Sequence, residues 1–423
     1  MPRGSPRFRE VPEMSERLCP RDEAELVEVV RWAVSHERTL DVAGAGSKAA
    51  LGRHIQTDHT LELKALTGVT LYEPEELVLS AKAGTPVAEI EALIAASNQM
   101  MAFEPMDFGP LLGVAPGAGT LGGLMATNLA GPRRPSAGAA RDHALGVRAV
   151  SGRGEAFKAG GRVVKNVTGY DLPRGLAGSY GTFAAFTELT IKVLPRPETV
   201  ETLLVLGLDD AAAAGVMSAA VGSYYDVSGA AHLPAEIAAR IPAVAGEGGA
   251  VTALRLEGVK PSIVHRRGKL EEILRARGAL SFLGEAESLA FWRAVRDVAP
   301  FALPEGGNID TARAVWRVSV APMAGAQVGA ALRELGAASF YDWAGGLVWI
   351  EMADAESHTA LVRAAVAHAG GGHATLMRAA APVRAAEEVF EPLDAITGAL
   401  IRRMKSGFDP GRVLSPGRMY AGV

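Results

Sequence analysis

The chain has 423 residues, which exceeds the size at which a single hydrophobic core stops growing, so we expect two domains. Its 43 basic and 47 acidic residues give a formal net charge of -4, which excludes the strong positive field that attracts nucleic acids and anionic membranes. The single cysteine, Cys19, excludes an internal disulfide framework and a cysteine-ligated iron-sulfur or metal cluster within this chain.

The segment Met1 to Pro20 carries charges and has no apolar stretch of the kind that a secretory signal requires. The most apolar segment, Ala211 to Gly222, is too short to cross the ~30 Å hydrocarbon core of a bilayer. We therefore expect a cytoplasmic protein whose membrane contact, if it has any, is peripheral and at the inner face.

Helical and extended patterns alternate in the first part of the chain. Apolar residues at helical spacing predict a helix from Asp22 to His36, with Asp22 and Glu25 spaced as a capping box. A second helix is predicted to begin with Thr85 as N-cap and to end near Asn98. Apolar and β-branched runs predict strands at Thr39 to Ala43, Thr60 to Leu63 and Leu77 to Ala81.

A glycine-rich stretch from Val114 to Gly138 follows, and in it Thr120 is placed to cap a short helix that ends at Asn128. The next predicted strands are Leu145 to Val150, Arg162 to Val164 and Phe183 to Leu194. The Pro195 to Pro197 linker then suggests a domain boundary.

After residue 197, short β-like runs alternate with alanine-rich helices, which predicts an α+β second domain. Its predicted strands include Thr202 to Leu206, Val251 to Leu256, Ala314 to Val320 and Leu347 to Met352. A C-terminal helix is predicted from Pro392 to Ser406, followed by a turn. We divide the chain into a first domain of residues 1–197, a second of 198–373 and a C-terminal segment of 374–423.

The loop Gly44, Ala45, Gly46, Ser47 directly follows a predicted strand. Backbone N–H groups in a loop without bulky side chains can surround a pyrophosphate, and glycine permits the required positive φ. The loop alone does not distinguish such a site from a plain tight turn. A nicotinamide-dinucleotide fingerprint would need a long helix directly after the loop, and a P-loop would need Lys then Ser or Thr after its last glycine; neither requirement is met.

Five segments in fixed order resemble the flavoproteins of the vanillyl-alcohol oxidase/p-cresol methylhydroxylase type, and among these the FAD-binding subunits of glycolate oxidases. The resemblance covers the whole chain and is concentrated before Val193. The segments are VAGAGSK (42–48), GAGTLGGLMATNLAGPRR (117–134), RDHALGVRAVSGRGE (141–155), VVKNVTGYDLPRGLAGSYGTFAAFTELTIKV (163–193) and FDPGRVLSPGRM (408–419).

This resemblance implies an α+β protein with a two-subdomain FAD-binding domain, an α+β cap domain over the flavin ring and a C-terminal segment that returns to the FAD domain. It implies non-covalent FAD, since the first loop has no histidine or cysteine for attachment. The residues that would hold the dinucleotide are Gly44, Ala45, Gly46, Ser47, Thr120, Gly122, Gly123, Thr127, Gly178, Ser179, Gly181, Thr182 and Phe183. The implied partners are a paralogous flavoprotein subunit and an iron-sulfur subunit.

The implied reaction is oxidation of glycolate or a similar small 2-hydroxy acid, which needs a proton acceptor, a cation for the carboxylate and a hydride acceptor. Related enzymes carry a histidine-rich motif, H-A-G-D-G-N-x-H, of which only His368 and His373 remain at the apparent equivalent. We therefore expect no metal site. The alternative function is a flavin-carrying or scaffolding subunit whose paralogous partner performs the oxidation.

Other candidates for chemistry each have a plain structural explanation. Arg317 could hold a carboxylate or lie on an exposed sheet face, and Tyr170 could move a proton or only structure its loop. Arg133 and Arg134 fit either phosphate neutralisation or a solvated basic pair. Ser415 stands where the family has asparagine, which puts any flavin contact of that amide in doubt.

Overall fold

The structure, a computed structural model, describes residues 17–162, 169–304 and 307–423. Most of the strand predicted at Arg162 to Val164 therefore lies outside the described residues. Within them the chain alternates helices and sheets, as the α+β prediction requires.

Between residues 17 and 195, the part of the chain that the structure describes forms three sheets and five α-helices. The strands are β1 (Arg17–Leu18), β2 (Leu40–Ala43), β3 (His59–Glu62), β4 (Val69–Glu73), β5 (Val78–Lys82), β6 (Gln99–Met100), β7 (Ala144–Ser151), β8 (Ala156–Gly160), β9 (Ala184–Lys192) and β10 (Leu194–Pro195). The helices are α1 (Glu23–Ser35), α2 (Val87–Ala95), α3 (Leu121–Thr127), α4 (Arg134–Ala137) and α5 (Leu172–Leu176).

Two of these sheets define two subdomains. The parallel sheet β1-β3-β2 packs against α1, which buries Leu26, Val30 and Ala33. The antiparallel sheet β4-β5-β9-β7-β8 packs against α2 and α3. The pair β10-β6 completes this half of the chain. The two-subdomain expectation is confirmed.

The two helices predicted in the first part of the chain are present as α1 and α2, but the capping residues differ in part from the prediction. Asp22 does cap α1, since its side chain accepts from Glu25 N, but the Glu25 carboxylate accepts from Arg21 N rather than completing a capping box. Thr85 does not cap α2, which begins after Pro86. The Thr85 hydroxyl donates to Lys82 O at 2.7 Å and accepts from Gly68 N at 3.0 Å, so the turn before the helix already uses it.

Residues 199–378 form one eight-stranded antiparallel sheet with order β14-β11-β13-β12-β16-β17-β15-β18. The strands are β11 (Thr199–Leu206), β12 (Val227–Leu233), β13 (Val251–Gly258), β14 (Ala279–Leu283), β15 (Val315–Val320), β16 (Ala338–Asp342), β17 (Leu347–Glu351) and β18 (Gly372–Arg378). The helices are α6 (Asp210–Val221), α7 (Ala235–Ala238), α8 (Lys260–Leu274), α9 (Glu285–Arg296), α10 (Gly325–Arg333) and α11 (Thr359–His368).

The two faces of this sheet have different partners. Helices α6, α8, α10 and α11 cover one face, on which Trp316 is buried. The other face, which carries Phe340 and Trp349, packs against α9 and against Phe108 and Leu111 of the first domain. This second face is therefore the one that meets the cofactor-binding half of the chain.

The C-terminal residues return to the first domain, as predicted. Helices α12 (Ala381–Ala386) and α13 (Ala395–Phe408) lead into a segment that runs beside β2. Leu40 N donates to Val413 O and Ser415 N donates to Leu40 O, each at 2.7 Å. The helix predicted from Pro392 begins later because the Asp394 side chain caps it by accepting from Ile396 N and Thr397 N.

The division at residues 197 and 373 stays a prediction. The eight-stranded sheet begins at Thr199, just after the first boundary. The second boundary falls inside β18, so we propose to move it to the end of that strand, after Arg378.

Candidate functional site

A cleft of about 780 Å³ brings the two predicted glycine loops together. The lining includes nine of the thirteen residues predicted to bind the dinucleotide: Gly44, Ala45, Gly46, Ser47, Thr120, Gly122, Gly123, Thr127 and Gly181.

Glycine is required where the two loops touch. A Cβ on Gly44 would lie 2.3 Å from Thr120 Oγ1, the atom that caps α3 by accepting from Gly123 N. A Cβ on Gly122 would lie 2.9 Å from Ala83 Cβ. The absence of a side chain at Gly44 therefore allows the first loop to approach the start of α3, and its absence at Gly122 allows α3 to approach Ala83 after β5.

Lys48 gives the cleft a positive charge that no carboxylate of the described residues neutralises within 4.0 Å. Removal of its ammonium from water lowers the pKa of Lys48, and the charge of Asp107 opposes this effect only in part. A cation in this position fits a diphosphate, which would bring the missing negative charge.

Tyr180 also lines the cleft, although the sequence prediction passed it over. Its backbone has a positive φ of 53°, which places an aromatic side chain in a glycine-rich turn. Burial raises the pKa of the Tyr180 phenol to about 12, so the group is neutral at physiological pH. An aromatic residue between Ser179 and Gly181, in a glycine-rich segment, was the sequence feature that could have identified Tyr180 as a cleft residue.

The other four predicted cofactor residues lie beside the cleft and outside its lining. Ser179 Oγ is buried without a hydrogen-bond partner in the described structure, so it remains free to donate to a ligand. Thr182 Oγ1 donates to Ser179 O at 2.7 Å, and Phe183 packs in the core of the five-stranded sheet. Gly178 N donates to Met125 O. The cleft contains nine of the predicted residues, and the cofactor-binding assignment of all thirteen stays a prediction.

The C-terminal segment closes one side of the cleft. The Arg418 guanidinium lines it, donates to Ala49 O at 3.1 Å and to Leu51 O at 3.3 Å, and pairs with Asp41. Ser415 Oγ accepts from Val42 N at 3.0 Å. Both residues therefore hold β2, which precedes the first glycine loop, and Arg418 also holds residues 49 and 51, which follow it.

The four catalytic candidates are not brought together at the cleft. Tyr170 is 88% exposed, and His368 and His373 are exposed at the end of α11 and in β18. In the described ranges no group of three or more His, Cys, Asp or Glu side chains could hold a metal. The expectation of no metal site stays a prediction.

Arg317 is the candidate with an unusual environment. It lies in β15 on the sheet face that meets the first domain, directly opposite Trp349. Its Nε is buried without a hydrogen-bond partner in the described structure. Burial lowers the pKa of Arg317 to about 10, and the phenol of Tyr180 and the charge of Arg134 also act on it. This contradicts an exposed sheet arginine.

Comparison with known proteins agrees with this architecture. Residues 16–160 match the family described as the FAD binding domain. The chain is 33% identical to glycolate oxidase subunit GlcE of Escherichia coli (strain K12) over 96% of its own length and 99% of that subunit. It is 28% identical to glycolate oxidase subunit GlcD of Bacillus subtilis (strain 168) over 51% of its length and 44% of that subunit. The structure of p-cresol methylhydroxylase with substrate bound covers 96% of the chain, and the chain covers 88% of that enzyme, with a TM-score of 0.73 at 13% identity.

The fold and the cleft thus define an FAD-binding flavoprotein of the p-cresol methylhydroxylase type. The structural similarity to p-cresol methylhydroxylase, at 13% identity, establishes the fold. The sequence match to GlcE covers nearly the whole length of both chains and establishes the family. The protein belongs to the family of the glycolate oxidase subunit GlcE, which makes it an FAD-linked oxidoreductase subunit.

Proposed function

We propose that this chain binds FAD non-covalently in the cleft and takes part, within a glycolate oxidase complex, in the oxidation of glycolate or a similar small 2-hydroxy acid. One observation carries the proposal: the loop Gly44 to Ser47 and helix α3 line the same cleft. Lys48 also lines this cleft and has no carboxylate within 4.0 Å in the described residues. The relative that matches along nearly its whole length bears the name of a glycolate oxidase subunit.

The lining of the cleft favours non-covalent attachment, since it contains no histidine or cysteine. Backbone N–H groups of the Gly44 to Ser47 loop and the ammonium of Lys48 would hold the diphosphate. When bound, FAD would supply the acceptor for the hydride that leaves C2 of the substrate.

The substrate carboxylate requires a cation near the flavin end of the cleft, and Arg317 is our assignment. Its guanidinium is partly desolvated, its Nε has no partner in the described structure, and its charge acts on the cleft-lining Tyr180. A partly buried guanidinium with free donors fits a carboxylate with two oxygens.

The proposed partners are a paralogous flavoprotein subunit and an iron-sulfur subunit. Supporting this, the chain is similar to GlcD over about half its own length, and its one cysteine cannot hold a cluster. Within the described residues, no helix is long and apolar enough to cross a membrane. We propose a cytoplasmic location with at most peripheral contact with the inner membrane face.

A flavin-carrying subunit that does not itself oxidise substrate is the second candidate. It is favoured by the exposure of His368 and His373, which leaves the remnant of the histidine motif outside the cleft. In that case the paralogous partner would perform the oxidation.

Anaerobic titration of the full chain separates the two candidates. The purified chain is loaded with FAD, freed of excess cofactor and mixed with glycolate or D-lactate while the oxidised flavin band is recorded. Bleaching of the band supports an oxidising subunit, and a bound but unchanged flavin supports the carrier. A chain that retains no FAD after reconstitution contradicts both.

A further inference from the structure

The two arginines of the GPRR segment have different surroundings, although they are adjacent in sequence. Arg133 Nε donates to Glu257 at 2.9 Å, and its guanidinium also lies 3.2 Å from Glu104, so its charge is neutralised inside the protein. Arg134 has no carboxylate within 4.0 Å among the described residues and is exposed. Neither a phosphate contact nor a solvated basic pair describes this arrangement. Arg134 is the one with a free charge.

Arg134 and Arg317 both lie against the indole ring of Trp343. The guanidinium carbon of Arg134 is 4.5 Å from the ring centroid, and that of Arg317 is 5.0 Å from it. The two charges are therefore at most about 10 Å apart, comparable with the Debye length of ~10 Å at 0.1 M salt. Arg134 comes from the first domain and Arg317 from the second, so the domain interface creates this cluster.

Trp343 is held firmly at the interface. Its indole Nε1 donates to Gly131 O at 3.0 Å, three residues before Arg134, and the side chain is buried. Its backbone and that of Ala344 have positive φ values of 51° and 57°. Two successive non-glycine residues in this conformation are strained, and such strain persists where the surrounding structure fixes it, often at ligand sites.

The cluster has little negative charge close to its guanidinium groups, since in the described residues no carboxylate lies within 4.0 Å of either one and Asp142 acts on the pKa of Arg134 only from a greater distance. The charge of Arg134 lowers the pKa of Arg317, although burial is the larger cause. Asp342 opposes this only weakly, because burial raises the pKa of its carboxyl to about 7 and leaves it partly protonated at neutral pH. A buried guanidinium Nε without a hydrogen-bond partner, close to a second and exposed guanidinium that has no carboxylate partner in the described residues, favours the binding of an anion.

We propose that Arg134, Arg317 and the Trp343 platform form one carboxylate-binding site that both domains build together. This inference rests on the proposed function and adds to it Arg134 as a substrate-binding residue and Trp343 as a positioning residue. The expected ligand is the carboxylate of the 2-hydroxy acid. Tyr180, which the charge of Arg317 reaches, connects this site with the cofactor cleft.

Binding of oxalate to the FAD-loaded full chain tests the site without turnover, because oxalate has no C–H bond from which hydride could leave. Calorimetry would compare the wild type with Arg134→Ala, Arg317→Ala and Trp343→Phe. Loss of one charge-assisted hydrogen bond predicts that each arginine variant raises the Kd of oxalate by on the order of tenfold or more. Trp343→Phe keeps a flat ring and should have a smaller effect.

Arg267→Ala is the matched control, since Arg267 also stacks on an aromatic ring, 4.7 Å from the Phe282 centroid, on a helix that covers the other face of the sheet. It should leave the Kd unchanged. A wild-type Kd in Arg134→Ala together with weaker binding in Arg317→Ala would overturn the two-arginine site and leave the proposed function standing. An FAD-loaded wild type that binds neither oxalate nor glycolate would also overturn it, whereas failure to retain FAD would overturn the proposed function itself.

Discussion

Gly46 and Gly207 offer a controlled comparison at the scale of single residues. They have φ values of 78° and 76°, and a Cβ added to either would meet no atom within 4 Å. Gly46 lines the cleft, whereas Gly207 is exposed between β11 and α6 of the second domain. A side chain at either position therefore causes similar backbone strain. Only a side chain at position 46 would extend into the cleft.

We expect Gly46→Leu to abolish FAD retention while the chain stays folded. Gly207→Leu should retain FAD, although both substitutions carry a strain of about 1–2 kcal/mol for the left-handed conformation. The flavin-to-protein ratio after gel filtration, together with circular dichroism, measures both effects. Stoichiometric flavin in Gly46→Leu would contradict the assignment of this loop.

Asp342 makes a second residue-scale prediction, on pH. Burial raises the pKa of its carboxyl from 3.8 to about 7, although the carboxylate accepts a hydrogen bond from Trp343 N. The native state then holds a proton that the unfolded state releases between about pH 4 and pH 7. The contribution of this group to stability is therefore present at low pH and is lost as pH rises through about 7.

Asp342→Asn removes this titration and keeps an acceptor for Trp343 N. We expect the variant to be more stable than the wild type at pH 8 by up to about 4 kcal/mol, with a smaller difference at pH 5. Thermal unfolding at the two pH values tests this. An equal difference at both would mean that Asp342 is ionised throughout in the native protein.

The glycine pattern located the two loops in the sequence, and the resemblance assigned them to a dinucleotide, because one glycine loop does not differ from a tight turn. Gly44 to Ser47 and Thr120 were found in this way, and the structure places them together. Tyr180 was left out of the predicted cofactor residues. Arg134 was predicted only as a phosphate contact or a solvated residue, because its contact with Trp343 depends on a domain interface that no local pattern encodes. Thr85 was misplaced because its hydroxyl satisfies a turn instead of the helix.

At the scale of elements, the C-terminal segment depends on one buried ion pair. Lys405 in α13 donates to Asp409 at 2.8 Å, to Thr182 O at 2.6 Å and to Leu414 O at 2.8 Å. The Asp409 carboxylate also accepts from Val413 N and Leu414 N. This pair therefore joins α13, the loop after Tyr180 and the segment beside β2.

Asp409→Ala should release the C-terminal segment. Removal of one partner of a buried ion pair costs about 3–5 kcal/mol, because the other charge is left unpaired. We expect a lower unfolding temperature, weaker FAD retention and faster proteolysis after α13. Glu272→Ala is the control, since it breaks the exposed Lys269–Glu272 pair and should leave the unfolding temperature close to that of the wild type. Wild-type proteolysis in Asp409→Ala would show that other contacts hold the segment.

Helices and strands were predicted correctly where the apolar residues follow a clear helical or extended periodicity. They were missed where hydrogen bonding to a neighbouring strand determines the structure. The apolar spacing of Leu26, Val30 and Ala33 defines α1, and the structure buries those three residues. Short or polar strands such as β4 and β14 were not predicted, because an edge strand is stabilised mainly by its hydrogen-bonded neighbour.

At the scale of the whole molecule, a buried ion network connects the two domains. Arg255 in β13 donates to Glu104 of the first domain at 2.8 Å, and Arg133 of the first domain donates to Glu257 in β13 at 2.9 Å. Both carboxyl groups of this network remain ionised, because the charges of the arginines outweigh the effect of burial. They lower the pKa of Glu104 and lower that of Glu257 to about 2. The order of domains was readable from the resemblance, but these cross-domain pairs were not, because each partner looks like an ordinary surface charge in sequence.

Glu104→Gln should loosen the contact between the domains. The amide leaves Arg255 without its full counter-charge in a buried place, which predicts a loss of about 3–5 kcal/mol at pH 7. Hydrogen exchange should rise first in β13 and in residues 103–112, where the second domain meets the first, while α1 stays protected. Glu201→Gln is the comparison, since its pair with Arg267 lies wholly inside the second domain. If Glu104→Gln exchanged like Glu201→Gln at the interface, the apolar contacts of Phe108 and Leu111 would be holding the domains together without the ion network.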